Sequence, residues 1–145
     1  KPERKLYAKI KKSIPKISWI RLENLSLSGT PDLLGYNANS HFFTVELKVT
    51  KGNKVRFSPH QIAFHLKHPN NTFILVEHLG SGAIKLFQGS MINELVACGL
   101  QLEAAAWGLK LVAYILRSLE LEAWSLRLEA RTRMHAFYTP SSFYR

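Results

Sequence analysis

Three charged residues in one short part of the sequence are of types that catalyse hydrolysis. Asp32 is the chain's single aspartate and follows a proline, whereas Glu46 and Lys48 lie two positions apart within the apolar run 41–50. Because alternate side chains of a strand point to the same face, Glu46 and Lys48 share one face. Asp32 directly precedes the segment 33–36, which we expect to pair with that strand. The sequence therefore predicts two carboxylates and an ammonium group at one end of a sheet.

Such a set suits metal-assisted hydrolysis of a phosphodiester bond. Two carboxylates provide the hard oxygen ligands that Mg²⁺ prefers, and we expect Mn²⁺ to substitute for it. The metal polarises the phosphoryl oxygen and lowers the pKa of a bound water, and a lysine can stabilise the charge that develops. Carboxylates alone would repel DNA. The loop that follows the strand supplies cations at Lys51, Lys54 and Arg56 to offset that repulsion.

A simpler interpretation of the same residues remains open. Glu46 and Lys48 would form an ion pair on a solvated strand face, and Asp32 would be an ordinary turn residue. In both interpretations the apolar residues at alternate positions of 43–49 face the core, and the face that carries Lys48 borders solvent.

Hydrophobic periodicity and turn residues predict the elements that position these groups. Helices are predicted at 2–13, at 58–68 and within 89–100, and strands at 17–27, 33–36, 41–50, 72–79 and 83–88. Ser58, Pro59 and Gln61 have the residue types of an N-cap, a first helical position and a capping-box partner. A helix placed between two strands indicates a mixed α/β sheet.

Composition indicates a basic intracellular protein. The chain has 145 residues and a net charge of +10, of which residues 1–101 carry +8. That excess suggests a polyanionic partner such as nucleic acid. Cys98 is the single cysteine, which excludes an intramolecular disulfide and fits a reducing compartment. No signal peptide is visible, and the longest apolar stretch, 104–116, is shorter than the roughly 20 residues that a membrane span needs.

The C-terminal part of the chain differs in composition from the rest. Residues 102–133 contain no proline and have a helical composition, so we predict a helical C-terminal extension at 102–145. Its apolar surface exceeds that of a lone exposed helix, which suggests a dimerisation element. Trp19, Trp107 and Trp124 are expected to lie in the core or in an interface.

Three motifs carry a resemblance to a known family. GTPD at 29–32, ELK at 46–48 and SPHQ at 58–61 occur in the order typical of the PD-(D/E)xK nuclease superfamily. Residues 1–100 most resemble its VRR-NUC and archaeal-type Holliday junction resolvase branches, including small phage-encoded members. Phage-type members often carry a strand like RLEN at 21–24. The resemblance implies an α/β, restriction-endonuclease-like mixed sheet flanked by helices, with the nuclease core at 1–101.

The resemblance also implies roles for individual residues. Asp32 and Glu46 would be metal ligands, Leu47 would offer its backbone carbonyl to the metal, and Lys48 would be the catalytic lysine. Gln61 matches a glutamine that VRR-NUC members place on the helix after this strand. Its other explanation is the capping box with Ser58.

Resolvase-like members carry a further acid on the first helix. Glu3 lies at that place, although an acid near a helix N-terminus is also favourable by itself. Glu23, at the end of the first strand, is the rival for this role. The side chains expected to contact DNA are Arg21, Lys51, Lys54, Arg56 and His60. The histidines of the second helix, at 60, 65 and 68, lack the spacing of an HExxH zinc site and are expected at the surface or near DNA.

The leading prediction is a Mg²⁺-dependent, structure-specific DNA endonuclease, most specifically a Holliday junction resolvase. Symmetric cleavage of a four-way junction needs two active sites, so this prediction implies a homodimer. One alternative is a VRR-NUC-type nuclease directed to flaps or nicks. Another is a non-catalytic DNA-binding protein that retains the fold, against which the complete set of two acids and a lysine argues.

Overall fold

The computed structural model describes residues 2–23, 27–38 and 40–101. The predicted extension at 102–145, with Trp107 and Trp124, lies outside these residues. The described elements, in chain order, are α1 Pro2–Ser13, β1 Ser18–Arg21, β2 Leu33–Tyr36, β3 Phe42–Thr50, α2 Pro59–Lys67, β4 Thr72–His78, β5 Ile84–Gln88 and α3 Ile92–Cys98, the last between 3₁₀ turns at Gly89–Met91 and Gly99–Gln101.

The five described strands form one mixed sheet in the order β1-β2-β3-β4-β5. The first three are antiparallel neighbours, β3 and β4 are parallel, and β4 and β5 are antiparallel. The parallel pair requires a crossover, and α2 supplies it. The predicted α/β class, a mixed sheet flanked by helices, is therefore confirmed.

Two apolar layers cover opposite faces of this sheet. On one face, Leu6 and Ile10 of α1 pack against alternate residues of β3 and β4. On the other, Ile92 and Leu95 of α3 pack against residues of β4 and β5, with support from α2. The β3 face that carries Lys48 does not simply border solvent, because the crossover helix of a parallel pair covers the sheet. That expectation from the sequence is wrong.

The first strand is much shorter than predicted. It spans Ser18–Arg21 rather than 17–27, because its partner β2 has only four residues. Beyond Arg21, the Leu22 N–H donates to the Asp32 carbonyl at 2.8 Å, after which the pairing ends. The other predicted elements begin and end within a few residues of the observed ones.

None of the helices in the described ranges is long and apolar enough to cross a membrane.

Candidate active site

Asp32 is positioned by the end of the β2–β3 ladder. Leu33 pairs with Val45, so the antiparallel register places Asp32 opposite Glu46. The Leu47 N–H lies beyond the end of β2 and donates to Asp32 Oδ2 at 2.8 Å. The N–H and C=O groups of one strand residue point toward the same neighbouring strand. The Leu47 carbonyl therefore also lies on the Asp32 side, where strand pairing has ended.

The turn before Asp32 packs directly on the first turn of α2. Gly29 has φ +88°, and a Cβ on it would lie 2.5 Å from the His60 carbonyl oxygen. Only glycine accepts both this conformation and this approach. The contact fixes the GTPD turn, and hence Asp32, relative to the helix that carries Gln61.

Glu46, Lys48 and Gln61 form a closed set of polar contacts. Lys48 Nζ lies 3.2 Å from Glu46 Oε1 and donates to Gln61 Oε1 at 2.9 Å. Gln61 Nε2 in turn donates to the same Glu46 oxygen. The lysine ammonium also lies 5.1 Å from the centre of the Phe57 ring, within range of a cation–π interaction. The Glu46 side chain is 3% exposed, so this is not an ion pair on a solvated face.

Gln61 completes the predicted capping box and also contacts the charged pair. Its Oε1 accepts from the Ser58 N–H at 3.0 Å, and its own N–H donates to Ser58 Oγ at 3.2 Å, which completes the capping box. The same side chain contacts Glu46 and Lys48. The helix cap thereby fixes the rotamer of a residue that orients the charged pair.

Burial is the main cause that raises the pKa values of both carboxyl groups. Desolvation is the main cause of the raised pKa of Asp32, partly offset by the Leu47 N–H and by Lys48. Desolvation, with the charge of Asp32 second, raises the pKa of Glu46 to about 7, although Lys48 and Gln61 oppose the shift. Two facing carboxylates that are compensated by one lysine provide a site in which a further cation is favourable.

The donor set fits Mg²⁺ better than a metal that needs a complete cage of side chains. Within residues 2–23, 27–38 and 40–101, no three His, Cys, Asp or Glu side chains converge on one point. Magnesium is usually held by one or two carboxylates, with water and substrate phosphate as the other ligands. Asp32 and Glu46 would hold it, with the Leu47 carbonyl beside them.

Neutralising Glu46 is expected to stabilise the metal-free protein increasingly as the pH rises from about 5 to 8. A folded-state pKa above the ordinary value contributes stability below about pH 4.5 that is lost as the pH rises through about 7. Glu46→Gln should therefore gain on the order of 1–3 kcal/mol relative to the natural protein between pH 5 and pH 8. Urea unfolding in EDTA measures this gain, with Glu94→Gln, an exposed acid of α3, as the control. Equal pH dependence in both variants would contradict the assignment of Glu46.

A basic cleft of about 570 Å³ extends from the charged set. Glu3 and Lys48 lie in its wall, followed by the exposed loop residues Lys51, Lys54 and Arg56. Glu3 is close enough for its charge to raise the pKa of Asp32. The structure thus brings Glu3, from the far end of the sequence, to the cleft that contains the predicted catalytic lysine.

The other predicted site residues Arg21, Glu23 and His60 do not line this cleft. Glu23 is exposed and forms an ion pair with Arg21 at 3.4 Å. The charge of Arg21 acts on Asp32 and lowers its pKa, whereas Glu23 is not among the groups that shift it. His60 is exposed on the first turn of α2, beside the GTPD turn. Of the two candidate acids, Glu3 is the one that lines the cleft together with Lys48.

His65, which the sequence analysis expected at the surface or near DNA, is instead buried near the candidate site. It is 1% exposed rather than at the surface, and it lies four residues after Gln61 on the buried face of α2. Its Nδ1 makes no hydrogen bond within the described residues. The i, i+4 relation to Gln61 was a signal available in the sequence.

Acid is expected to destabilise the protein through His65. Burial, with repulsion from Lys48 second, lowers the pKa of His65 to about 4. Between about pH 6.5 and pH 4 the unfolded chain binds a proton that the folded chain excludes, so stability falls as the pH falls. The loss is at most about 3 kcal/mol. Urea unfolding of His65→Gln should show a shallower decline from pH 7 to pH 4.5, and an unchanged decline would contradict this origin.

Comparison with known proteins gives one finding about structure. The sequence matches no protein-family model and no curated protein. Several solved chains match, among them Hjc of Archaeoglobus fulgidus, described as a Holliday junction resolvase from an archaeal hyperthermophile. The two chains are 19% identical, with a TM-score of 0.48, and the match covers 61% of this chain and 75% of that one.

Proposed function

We propose that this protein is a Mg²⁺-dependent endonuclease that hydrolyses phosphodiester bonds in DNA. The observation that carries the proposal is the position of Asp32 opposite Glu46, with Lys48, which lines the cationic cleft, 3.2 Å from Glu46 Oε1. Glu46 is nearly excluded from solvent and has a raised pKa. A site that supports only the fold has no need to confine two repelling carboxylates in this way.

Each residue has a defined task in this proposal. Asp32 and Glu46 would hold the metal, which would supply the activation of water and the stabilisation of charge on the phosphoryl oxygens. Lys48, whose ammonium group contacts Glu46 and Gln61, would stabilise the negative charge of the transition state. Gln61 holds Lys48 and Glu46 in place through hydrogen bonds to both. Glu3 adds negative charge beside Asp32, which strengthens the attraction for a cation.

The cleft determines which polymer is bound. Lys51, Lys54 and Arg56 are exposed along one wall and would contact phosphates on one side of the cleaved bond. Such contacts position DNA without reading its sequence. Branched DNA, and specifically the four-way junction implied by the family resemblance, is the substrate that we propose. A homodimer would supply the second active site that paired cleavage needs.

Removing the charges of the loop is expected to weaken binding to every DNA shape alike. Replacing Lys51, Lys54 and Arg56 together by Gln should flatten the dependence of log K on log salt concentration by about one unit for each phosphate that is no longer neutralised. Fluorescence anisotropy at several salt concentrations measures this slope. The control replaces Lys11, Lys12 and Lys16 by Gln, an equal change of charge outside the cleft. Equal effects of the two variants would place the DNA elsewhere.

A gel assay tests the proposed function and separates it from the alternatives. Labelled four-way junction, flap, nicked and linear duplexes are incubated with the protein in Mg²⁺ and in EDTA. We expect cleavage in Mg²⁺ alone, fastest for the junction and with symmetric paired cuts. Faster cleavage of flaps or nicks would replace the junction with that substrate. Binding of DNA without cleavage in any metal would leave a non-catalytic DNA-binding protein.

A further inference from the structure

One face of the sheet carries exposed apolar side chains on the side of the candidate active site. The helices α2 and α3 pack over β4 and β5, and among residues 2–23, 27–38 and 40–101 no helix packs over β1 and β2 on that side. Phe42 is 58% exposed and Ile20 is 49% exposed. We call the surface formed by Ile20, Leu34, Tyr36 and Phe42 the open sheet face.

Strand register places this surface and the carboxylates on the same side of the sheet. Tyr36 pairs with Phe42 directly across the β2–β3 ladder, and Ile20 pairs with Leu34 across β1–β2. Alternate side chains share a face, so Phe42 lies on the same side as Glu46 and Lys48. Phe42 precedes Glu46 by four residues, which corresponds to about 13 Å along the strand.

The two aromatic rings of this surface already contact each other. The ring centres of Tyr36 and Phe42 are 4.5 Å apart, and their planes are inclined by 41°. Phe42 thus has a neighbour that limits its rotamers and leaves more than half of its surface exposed. An aromatic surface that is held in place in this way is suited to stacking against another planar group.

We propose that the open sheet face binds unpaired nucleobases of the DNA that is cleaved. The inference rests on the proposed function, because its argument is that this surface lies on the same side of the sheet as Glu46 and Lys48. Bases in intact duplex are stacked and present no free ring, whereas bases at a branch point or in a single-stranded tail do. Base–aromatic stacking is tolerant of sequence. Each nucleotide of a strand advances about 3.4 Å or more, so the separation of about 13 Å along β3 corresponds to about two to four nucleotides. The substrate class is therefore DNA with unpaired bases at that distance from the cleaved bond.

Binding measured without catalysis tests this inference. The probes are a blunt duplex and the same duplex with a six-nucleotide tail that carries 2-aminopurine, both in EDTA. Phe42→Ala should weaken binding of the tailed duplex by about 5- to 150-fold, as expected for the loss of one stacked base. Binding of the blunt duplex should change less than twofold. The natural protein should quench the 2-aminopurine fluorescence, Phe42→Ala should not, and Phe42→Trp should restore the quenching.

Controls separate failure of this inference from failure of the proposed function. Leu79→Ala, a change at another exposed apolar residue (47% exposed), should leave both affinities unchanged. If Phe42→Ala weakened binding of the two DNAs equally, or weakened binding of neither, the inference would be overturned while the nuclease proposal stood. If the natural protein bound neither DNA, both would fail. If Phe42→Ala converted a dimer into a monomer in sedimentation and left quenching intact, the surface would belong to a second copy of the chain.

Discussion

Asp32→Asn and Glu46→Gln should each abolish DNA cleavage while leaving DNA binding intact or slightly tighter. Each removes one of two carboxylates that face each other across the β2–β3 ladder. A metal held by these carboxylates would supply several kcal/mol of transition-state stabilisation, so we expect the rate to fall by about 10³-fold or more. Binding should not weaken, because the change removes negative charge that faces the phosphates.

Single-turnover cleavage with the protein in excess over DNA measures the first of these effects, and anisotropy in EDTA measures the second. Glu94→Gln is the matched control on a distant helix and should cleave at the natural rate. Glu23→Gln should do the same, because Glu23 pairs with Arg21 rather than with the carboxylates of the site. If Asp32→Asn or Glu46→Gln cleaved at the natural rate, the assignment of the site would be wrong.

Lys48→Ala should lower the single-turnover rate by on the order of 10² to 10³-fold, the value of one preorganised electrostatic contact. The reason is that Lys48 is held by Glu46 and Gln61 and is only 19% exposed. Its charge is therefore fixed in direction before the substrate arrives. Affinity for DNA should change little, since the exposed loop cations supply most of the phosphate contacts.

Lys48 also lowers the pKa of Glu46, so its removal has a second consequence that must be separated from the first. Raising the pH and the Mg²⁺ concentration should restore the ionised form of Glu46 in Lys48→Ala. If that treatment restored the rate, Lys48 would serve only to keep Glu46 ionised. We expect less than tenfold recovery, with Lys67→Ala, an exposed lysine of α2, as the control that cleaves normally. If Lys48→Ala lowered the cleavage rate by less than tenfold, the result would favour a simple ion pair between Lys48 and Glu46.

Much of the fold followed from local signals in the sequence. The segment LLGY at 33–36 and the helix that begins after Ser58 were predicted within one residue, because turn residues and a capping box mark their limits. The first strand was predicted too long because its residue types favour a strand beyond Arg21. Its length is instead limited by the four residues of its partner, which is a property of the sheet rather than of the segment.

The candidate site was predicted in composition but not in environment. Alternation along 41–50 placed Glu46 and Lys48 on one face, and the pairing of β2 with β3 placed Asp32 opposite Glu46. The burial of Glu46 was not predicted, since it depends on α2 crossing over the sheet and bringing Gln61 to the carboxylate. His65 was misplaced for the same reason, because an isolated helix pattern does not show which face meets a sheet.

Binding of Mn²⁺, followed by the electron paramagnetic resonance signal of the free ion, tests the metal site most directly. The titration uses the natural protein, Asp32→Asn and Glu94→Gln at pH 8, where the Glu46 carboxyl, with a pKa of about 7, is mostly ionised. We predict one class of bound Mn²⁺ in the natural protein and in Glu94→Gln, displaced by excess Mg²⁺ and absent in Asp32→Asn. Equal binding by all three proteins, or binding by none, would contradict a metal centre at Asp32 and Glu46.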